Sequence, residues 1–230
     1  MPRNKYPEET RQKILDAAKE LFLEKGYENT TILDIVNNMD GLTRGAFYHH
    51  FKSKEEVLDQ IAEDMFFENN PFATVQHLEG LTGLQKLHKA IFNTAFADMD
   101  ESHQRLVRDT IALLESPSVL ARQFDFNRMI ATEYIQPLME EGMADGSIAP
   151  QNPRWLAELL LLLSNIWTNP HISPATPEEL VEKLILMADI FEGLGCPLFD
   201  EESISAAEDL IEVHFPEVDA SELKEKFMEG

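Results

Sequence analysis

The segment covering residues 30–54, TTILDIVNNMDGLTRGAFYHHFKSK, most constrains the fold because it contains two short helical patterns separated by a glycine. The first pattern opens at Thr31, and Asp34 three residues later is the expected partner in a capping box. Apolar residues then follow at helical spacing, at Ile32, Ile35 and Val36. Residues 37–41 interrupt that period and end in a glycine, which can take the positive φ of a sharp turn. This segment therefore predicts two helices joined by a tight turn.

The second pattern predicts a helix with one buried and one exposed face. Thr43 is its expected N-cap, and Phe47 and Phe51, four residues apart, point toward a core. The remaining positions form an outer face of hydrogen-bonding groups and a glycine: Thr43, Arg44, Gly45, Tyr48 and His49. A short helix of this kind, held by a preceding helix across a turn, is what a helix-turn-helix DNA reader requires.

The same residues, with Gly26-Tyr27 before them and the sequence SKEEVL at residues 53–58 after them, resemble the DNA-binding domain of TetR-type (tetracycline-repressor-like) transcriptional regulators. The resemblance covers roughly residues 8–65, about a quarter of the chain. It implies a regulator that dimerises through its last two core helices and releases DNA when a small molecule enters its helical domain.

The chemistry of the candidate residues suggests a role for each on DNA. Arg44 can form two hydrogen bonds with a guanine edge, and Thr43 and His49 can reach base edges or phosphates. Tyr48 offers its hydroxyl to a phosphate, and Thr31 offers a hydroxyl and a backbone N–H at a helix start. Gly45 belongs to the same face, and Lys54 is a candidate phosphate clamp. For each residue the alternative is a plain surface or capping role.

The net charge of −23 opposes DNA binding, but its distribution is uneven. Residues 1–60 contain 9 Lys and Arg against 11 Asp and Glu, whereas residues 61–230 contain 10 against 31. Residues 41–54 carry Arg44, Lys52 and Lys54 and no acidic residue. Because phosphate contacts act within about 8 Å at physiological salt, we expect the acidic remainder to weaken non-specific binding without preventing specific binding.

The rest of the chain reads as helices, and without sustained Val, Ile and Thr alternation we predict an all-α fold without strands. We expect a helix-turn-helix DNA-binding domain at residues 1–52. A helical ligand-binding and dimerisation domain follows at residues 53–230, and its end from residue 198 is an acidic extension. A fourth helix begins at Ser53 and ends by residues 69–71. A long helix covers residues 117–143, and Pro137 is a position where it can kink.

Two later helices predict a dimer. Residues 159–163 are five consecutive leucines, and a helix that is apolar all round is buried all round. The helix over residues 177–194 also has two apolar faces. We therefore expect a four-helix interface between two copies of the chain, formed by Leu159, Leu163, Leu184, Met187 and Phe191. The alternative is a monomer in which both helices are deeply buried.

Aromatic residues and methionines in the helical region are candidates for an effector pocket: Phe92, Phe96, Met99, Phe124, Met129, Tyr134 and Trp167. Such residues at helical spacing also fit an ordinary core.

The sequence contains no enzyme signature. Its glycines form no dinucleotide or phosphate loop, and its histidines do not have metal-ligand spacing. We expect no catalytic residues, metal or cofactor. The single cysteine, Cys196, fits a reducing compartment, and no apolar run approaches the ~20 residues that a membrane span needs. We expect a cytoplasmic protein.

Together these features predict a ligand-responsive DNA-binding regulator, a repressor that binds a pseudo-palindromic operator as a homodimer. The partners are double-stranded DNA, a second copy of the chain and a small-molecule effector. Two alternatives remain from other classes of protein: an acidic protein-interaction module with a vestigial helix-turn-helix, and a helical protein that binds or converts a small molecule without a role on DNA.

Overall fold

The computed structural model describes residues 7–39, 43–68, 70–92 and 100–223. Within these ranges the regular elements are all helical and no strand occurs, as the sequence predicts. The described residues form two compact units, drawn from Met1–Asn69 with Met99–Val119 and from Asn70–Asp98 with Leu120–Gly230. A functional boundary between residues 52 and 53 stays a prediction.

In chain order the α-helices of the described residues are α1 (Pro7–Lys25), α2 (Ile32–Asn37), α3 (Arg44–His50), α4 (Lys54–Glu68), α5 (Pro71–Gln76), α6 (Gly83–Phe92), α7 (Glu101–Ala112), α8 (Pro117–Ile130), α9 (Gln136–Asp145), α10 (Pro153–Leu162), α11 (Pro177–Gly193) and α12 (Glu201–His214). Two π-helical turns, Ala131–Ile135 and Leu163–Trp167, follow α8 and α10. Short 3-10 turns cover Leu113–Glu115 and Ala220–Leu223.

The first unit packs α1 to α4 and α7 around one core. Its buried side chains come from every one of these helices: Ile14, Leu15, Ala18, Phe22, Ile35, Val36, Phe47, Phe51, Val57, Leu58, Ile61 and Leu106. Phe47 and Phe51 of the predicted second short helix are buried, with ring centroids 6.1 Å apart. Burial of each such ring contributes about 1.5–3 kcal/mol, so the inner face of α3 fixes which of its residues remain on the surface.

The second unit contains a close crossing of α6 and α9. A Cβ atom on Gly83 would lie 2.1 Å from the main-chain N of Gly142, so only glycine fits at this point of contact. The crossing is fastened on either side. The N–H of Gly83 donates to Asp145 at 2.7 Å, and Lys86 pairs with Glu141 at 2.7 Å.

The long helix expected over residues 117–143 is interrupted by a π-helical turn at Ala131–Ile135. Gln136 there donates to the carbonyl of Ala131, five residues back. Pro137 follows directly and has no main-chain N–H to donate. The expected irregularity therefore takes the form of an added residue in the turn before Pro137.

The sequence indicates two helices, α5 and α12, less clearly than the others. Asn70 caps α5 by accepting hydrogen bonds from the N–H groups of Phe72 and Ala73, so Asn70-Pro71 begins a helix where the sequence predicted only an end. The acidic extension contains α12, which packs against α11 and α6 and buries Ile211 and Val213. No helix in the described ranges is long and apolar enough to span a bilayer.

Candidate nucleic-acid interface

The start of α3 has the geometry that the sequence predicts for a recognition helix. Thr43 is its N-cap, and its hydroxyl accepts a hydrogen bond of 3.2 Å from the N–H of Ala46. Because Phe47 and Phe51 point inward, the opposite face of α3 is solvent-exposed: Thr43, Arg44, Gly45, Tyr48 and His49. The structure thus places five of the seven predicted DNA-binding residues together on one surface, which we call the α3 face.

The α3 face combines a cation, an aromatic ring and open backbone. The guanidinium carbon of Arg44 lies 5.7 Å from the centroid of the Tyr48 ring, and Tyr48 itself is 45% exposed. A Cβ atom on Gly45 would meet only the hydroxyl of Thr43, at the ordinary contact distance of 3.8 Å. Packing within the described residues therefore does not require glycine at position 45, although glycine inside a helix costs about 0.5–1 kcal/mol.

Thr31 begins α2 through the predicted capping box. Its hydroxyl accepts from the N–H of Asp34 at 3.1 Å and donates to the Asp34 carboxylate at 2.8 Å. The hydrogen bond from the main-chain N–H of Thr31, followed by bonds from Lys25 and from the Thr31 hydroxyl, lowers the pKa of Asp34 to about 2. The hydroxyl and the N–H of Thr31 thus already have partners in this chain, and a phosphate contact by Thr31 stays a prediction.

Lys54 is bound more tightly within the protein than the sequence suggests. Its ammonium donates to the carbonyls of Tyr27 at 2.7 Å and Thr30 at 2.9 Å, and it lies 3.8 Å from the centroid of the Tyr27 ring. These contacts attach the start of α4 to the connection between α1 and α2. An ammonium has three N–H donors, so one remains for a further acceptor.

Sequence reasoning missed two residues of α7 that hold the same connection in place. Arg105 donates to the carbonyl of Leu23 near the end of α1, and Asp109 accepts from the N–H of Tyr27 at 3.2 Å. Both residues are about 80 positions away in the chain, so no local motif marks them. They position the α1–α2 connection and do not belong to the α3 face.

His50 borders the α3 face but is half-buried. Desolvation by burial, followed by the neighbouring His49, lowers the pKa of His50. The lowered pKa favours the neutral form of His50, and Arg44 is the fixed cation at the start of α3.

The structure corrects the predicted dimer residues on α11. Leu184, Met187 and Phe191 are buried by this chain, with exposures of 8%, 3% and 0%. Helical periodicity identifies an apolar face but does not reveal whether that face packs within the chain or against a second copy. A different face of α11 is accessible, at Leu186 with 49% exposure. On α10, Leu159 and Leu163 are half-buried, and dimer contacts by them stay a prediction.

The predicted effector-pocket residues have varied surroundings. Phe92 contacts His88 and Phe199, with centroid distances of 4.7 and 5.5 Å. Phe124 is 38% exposed, Met129 and Tyr134 are half-buried, and Phe96 and Met99 lie outside the described residues. Trp167 lines an open groove of about 310 Å³ with Pro174, Glu179, Glu182, Lys183 and Leu186. A shared pocket for these residues stays a prediction.

Within the described ranges, no group of three or more His, Cys, Asp or Glu side chains is arranged to hold a metal ion. Cys196 is buried, and burial raises the pKa of its thiol to about 11. A thiol with such a pKa is mainly protonated at neutral pH and is a weak nucleophile.

Comparisons with known proteins agree with this geometry. Residues 14–61, which include α2 and α3, match the family model described as bacterial regulatory proteins, tetR family. The HTH-type transcriptional repressor KstR2 of Mycolicibacterium smegmatis is 29% identical over 157 residues, which cover 63% of this chain and 70% of that protein. KstR2 of Rhodococcus jostii is 31% identical over 144 residues, which cover 60% of this chain and 67% of that protein.

The fold is also similar to solved structures. A TetR-family transcriptional regulator from Pectobacterium atrosepticum superposes with a TM-score of 0.59 at 24% identity, over 84% of this chain and 97% of that one. This structural similarity shows a shared all-helical fold, whereas the sequence matches show the family relationship. The chain belongs to the TetR family of bacterial regulatory proteins.

Proposed function

We propose that this chain is a ligand-responsive transcriptional repressor that binds a pseudo-palindromic operator as a homodimer. The observation that carries the proposal is the α3 face, on which Gly45 has no packing reason to be glycine. Glycine on an exposed helix face lets the backbone approach a ligand such as DNA more closely than a residue with a side chain would. The two α3 helices of a dimer would read half-sites about 34–36 Å apart.

Each exposed group of the α3 face has a proposed contact. Arg44 hydrogen-bonds a guanine edge, Thr43 and His49 reach base edges or phosphates, and the Tyr48 hydroxyl donates to a phosphate. Two N–H groups of the Lys54 ammonium bind carbonyls of this chain, and we assign the third to a phosphate. The hydroxyl hydrogen of Thr31 and one of its lone pairs are used in the capping box. Thr31 therefore contributes only as an acceptor, through its remaining lone pair.

Repression and ligand release are supported by kinship and simple physics. The two KstR2 relatives are named as repressors, and a dimer bound at a promoter blocks polymerase without further contacts. A small molecule releases DNA if it binds more tightly to a conformation whose two α3 helices no longer match the half-sites. This differential affinity is the requirement that any effector must meet.

We place the dimer contact on exposed apolar residues of α10 and α11. Trp155, Leu159 and Leu162 follow one another at helical spacing, and Trp155 is 68% and Leu162 40% exposed. Leu186 and Leu194 on and after α11 are 49% and 38% exposed. Apolar side chains of this size are typical of helix-to-helix interfaces between subunits.

The deciding experiment is fluorescence anisotropy with DNA from upstream of the chain's own gene, over a salt series. The key variant is Gly45→Ala, because the Cβ atom of an alanine at this position makes no close contact within the protein. We expect Gly45→Ala to keep or raise thermal stability and to weaken operator binding at least tenfold, by about 1.4 kcal/mol. Arg44→Ala should cost about 1–3 kcal/mol and relax the base preference.

Arg128→Ala is the matched control, since Arg128 is an exposed arginine of the second unit, paired with Asp125 at 3.1 Å. We expect this variant to bind the operator as the wild type does. Unchanged operator affinity in both Gly45→Ala and Arg44→Ala would refute the α3 face as the DNA reader. A wild type that selects no sequence from random DNA would refute operator recognition altogether.

A further inference from the structure

A buried amide on α8 has a hydrogen-bond donor without an internal partner among the described residues. Asn127 is 6% exposed. Its Oδ1 accepts hydrogen bonds from Nε2 of Gln123 at 2.8 Å and from Nδ2 of Asn165 at 3.0 Å. Two neutral side-chain amides from α8 and from the π-helical turn after α10 thus hold the Asn127 side chain in one orientation.

The other end of this amide has no internal partner. Nδ2 of Asn127 is buried, and no acceptor in the described part of the chain lies within hydrogen-bond distance of it. A buried donor without an acceptor is costly, and such groups are rare enough to need a cause. Asn70 also has a buried Nδ2 without a partner, but its Oδ1 caps α5, which explains why an asparagine is there. Asn127 caps no helix.

Two π-helical turns lie next to Asn127 and its partner Asn165 in the chain. One begins at Ala131, four residues after Asn127, and the other, Leu163–Trp167, contains Asn165 itself. In the second turn the N–H of Thr168 donates to the carbonyl of Leu163 at 3.0 Å, five residues back. Each added residue changes the direction of the side chains that follow, and single π-helical turns occur frequently at functional sites. The turn around Asn165 brings its amide to Asn127.

We propose that Asn127 is the polar anchor of the effector site, with Nδ2 donating to an uncharged carbonyl oxygen of a small apolar ligand. The proposal rests on the ligand response proposed above and names the chemistry of the effector. A ketone, ester, lactone or amide fits, because the hydrogen-bond partners of Asn127 are neutral. A carboxylate at this place would bury a charge next to groups that do not neutralise it, which is strongly unfavourable.

The test uses acetone as a probe, because acetone is a small uncharged molecule with one carbonyl oxygen, the group that the proposal assigns to the effector. The readout is the side-chain amide resonance of Asn127 in ¹⁵N-labelled full-length protein, assigned with Asn127→Asp. We expect acetone to shift this resonance to a plateau and acetate at equal concentration to leave it unchanged. The side-chain amide of Asn70 is the matched control and should not respond to either probe.

Asn127→Leu provides a second measurement, since leucine has a similar volume and no donor. With this variant, Asn165 is the reporter, and we expect its response to acetone to be lost. Absence of a saturable shift at Asn127 in the wild type would overturn the proposal and leave a purely structural amide. A shift at Asn165 that persists in Asn127→Leu, or an equal response to acetate, would also overturn it.

The operator measurement separates this inference from the proposed function. A wild-type protein that binds its operator but whose Asn127 ignores acetone refutes only the anchor. A protein that binds no operator yet shows the acetone response keeps the binding site and loses the regulatory role.

Discussion

The main-chain N–H of Tyr27 donates a hydrogen bond of 3.2 Å to Oδ2 of Asp109, although 82 positions separate the two residues. Tyr27 lies in the connection between α1 and α2, and Asp109 lies on α7. The carbonyl of Tyr27 accepts from Lys54, so both polar groups of its peptide backbone are bound by side chains from elsewhere in the first unit. These two contacts hold the connection that leads into α2.

Asp109→Ala should destabilise the protein by about 1–3 kcal/mol, because it leaves the N–H of the buried Tyr27 without its acceptor. Chemical denaturation of the full-length protein measures this loss. Asp125→Ala is the control, since its exposed ion pair with Arg128 contributes little. Equal stabilities of the two variants would show that the Tyr27–Asp109 bond has no energetic weight.

Two glycine substitutions should have opposite effects on stability, and Gly83→Ala should be the destabilising one. The new Cβ atom would lie 2.1 Å from the N of Gly142 and 2.5 Å from the carbonyl O of Leu138, both main-chain atoms, so α6 and α9 must move apart. We expect a loss of about 1–3 kcal/mol or more. Gly193→Ala should instead stabilise by about 0.4–1 kcal/mol, since nothing lies within 4 Å of its Cβ position. Differential scanning calorimetry distinguishes these opposite signs.

His214 should make stability fall between pH 6.5 and pH 4. Burial, followed by the charge of His171, lowers the pKa of His214 from 6.5 to about 4. Below pH 6.5 the unfolded chain therefore binds a proton that the folded chain does not, and stability decreases as the pH falls through this window. We expect His214→Gln to flatten the dependence of stability on pH. His77→Gln, at an exposed histidine, should leave the wild-type slope unchanged.

Two neighbouring residues of α11 should respond in opposite ways to substitution. Leu186→Glu places a charge on the exposed face, and we expect a shift from dimer to monomer in analytical ultracentrifugation with little loss of subunit stability. Met187→Ala removes a side chain that is 3% exposed, so we expect about 2–5 kcal/mol of destabilisation. A dimer that tolerates Leu186→Glu would exclude this face of α11 from the interface.

The sequence predicts well those parts of the fold that short-range chemistry determines. Thr31 and Thr43 cap α2 and α3 as expected, and Phe47 and Phe51 are buried four residues apart. These features depend on contacts within one or two helical turns, so their spacing in the sequence is sufficient to recognise them.

The features that sequence reasoning missed depend on distant contacts or on an ambiguous period. Asp109 becomes relevant to the α1–α2 connection only when the chain folds. In the sequence the apolar face with Leu184 fits a dimer interface as well as a core, and only packing decides that Leu184 is buried within this chain. Asn70-Pro71 did carry a usable signal, since an asparagine N-cap followed by proline is also a typical helix start.

The return of α7 to the first unit affects how such regulators can be recombined. A chimera joined after residue 68 would transfer α1 to α4 without Leu106, which is 1% exposed in their shared core, and without Asp109. The transferred helices would expose the apolar surface that α7 normally covers. We therefore expect the chimera to be poorly soluble. If the α3 face reads DNA as proposed, operator preference is better exchanged between family members by grafting that face alone, which leaves α7 with its partners in the first unit.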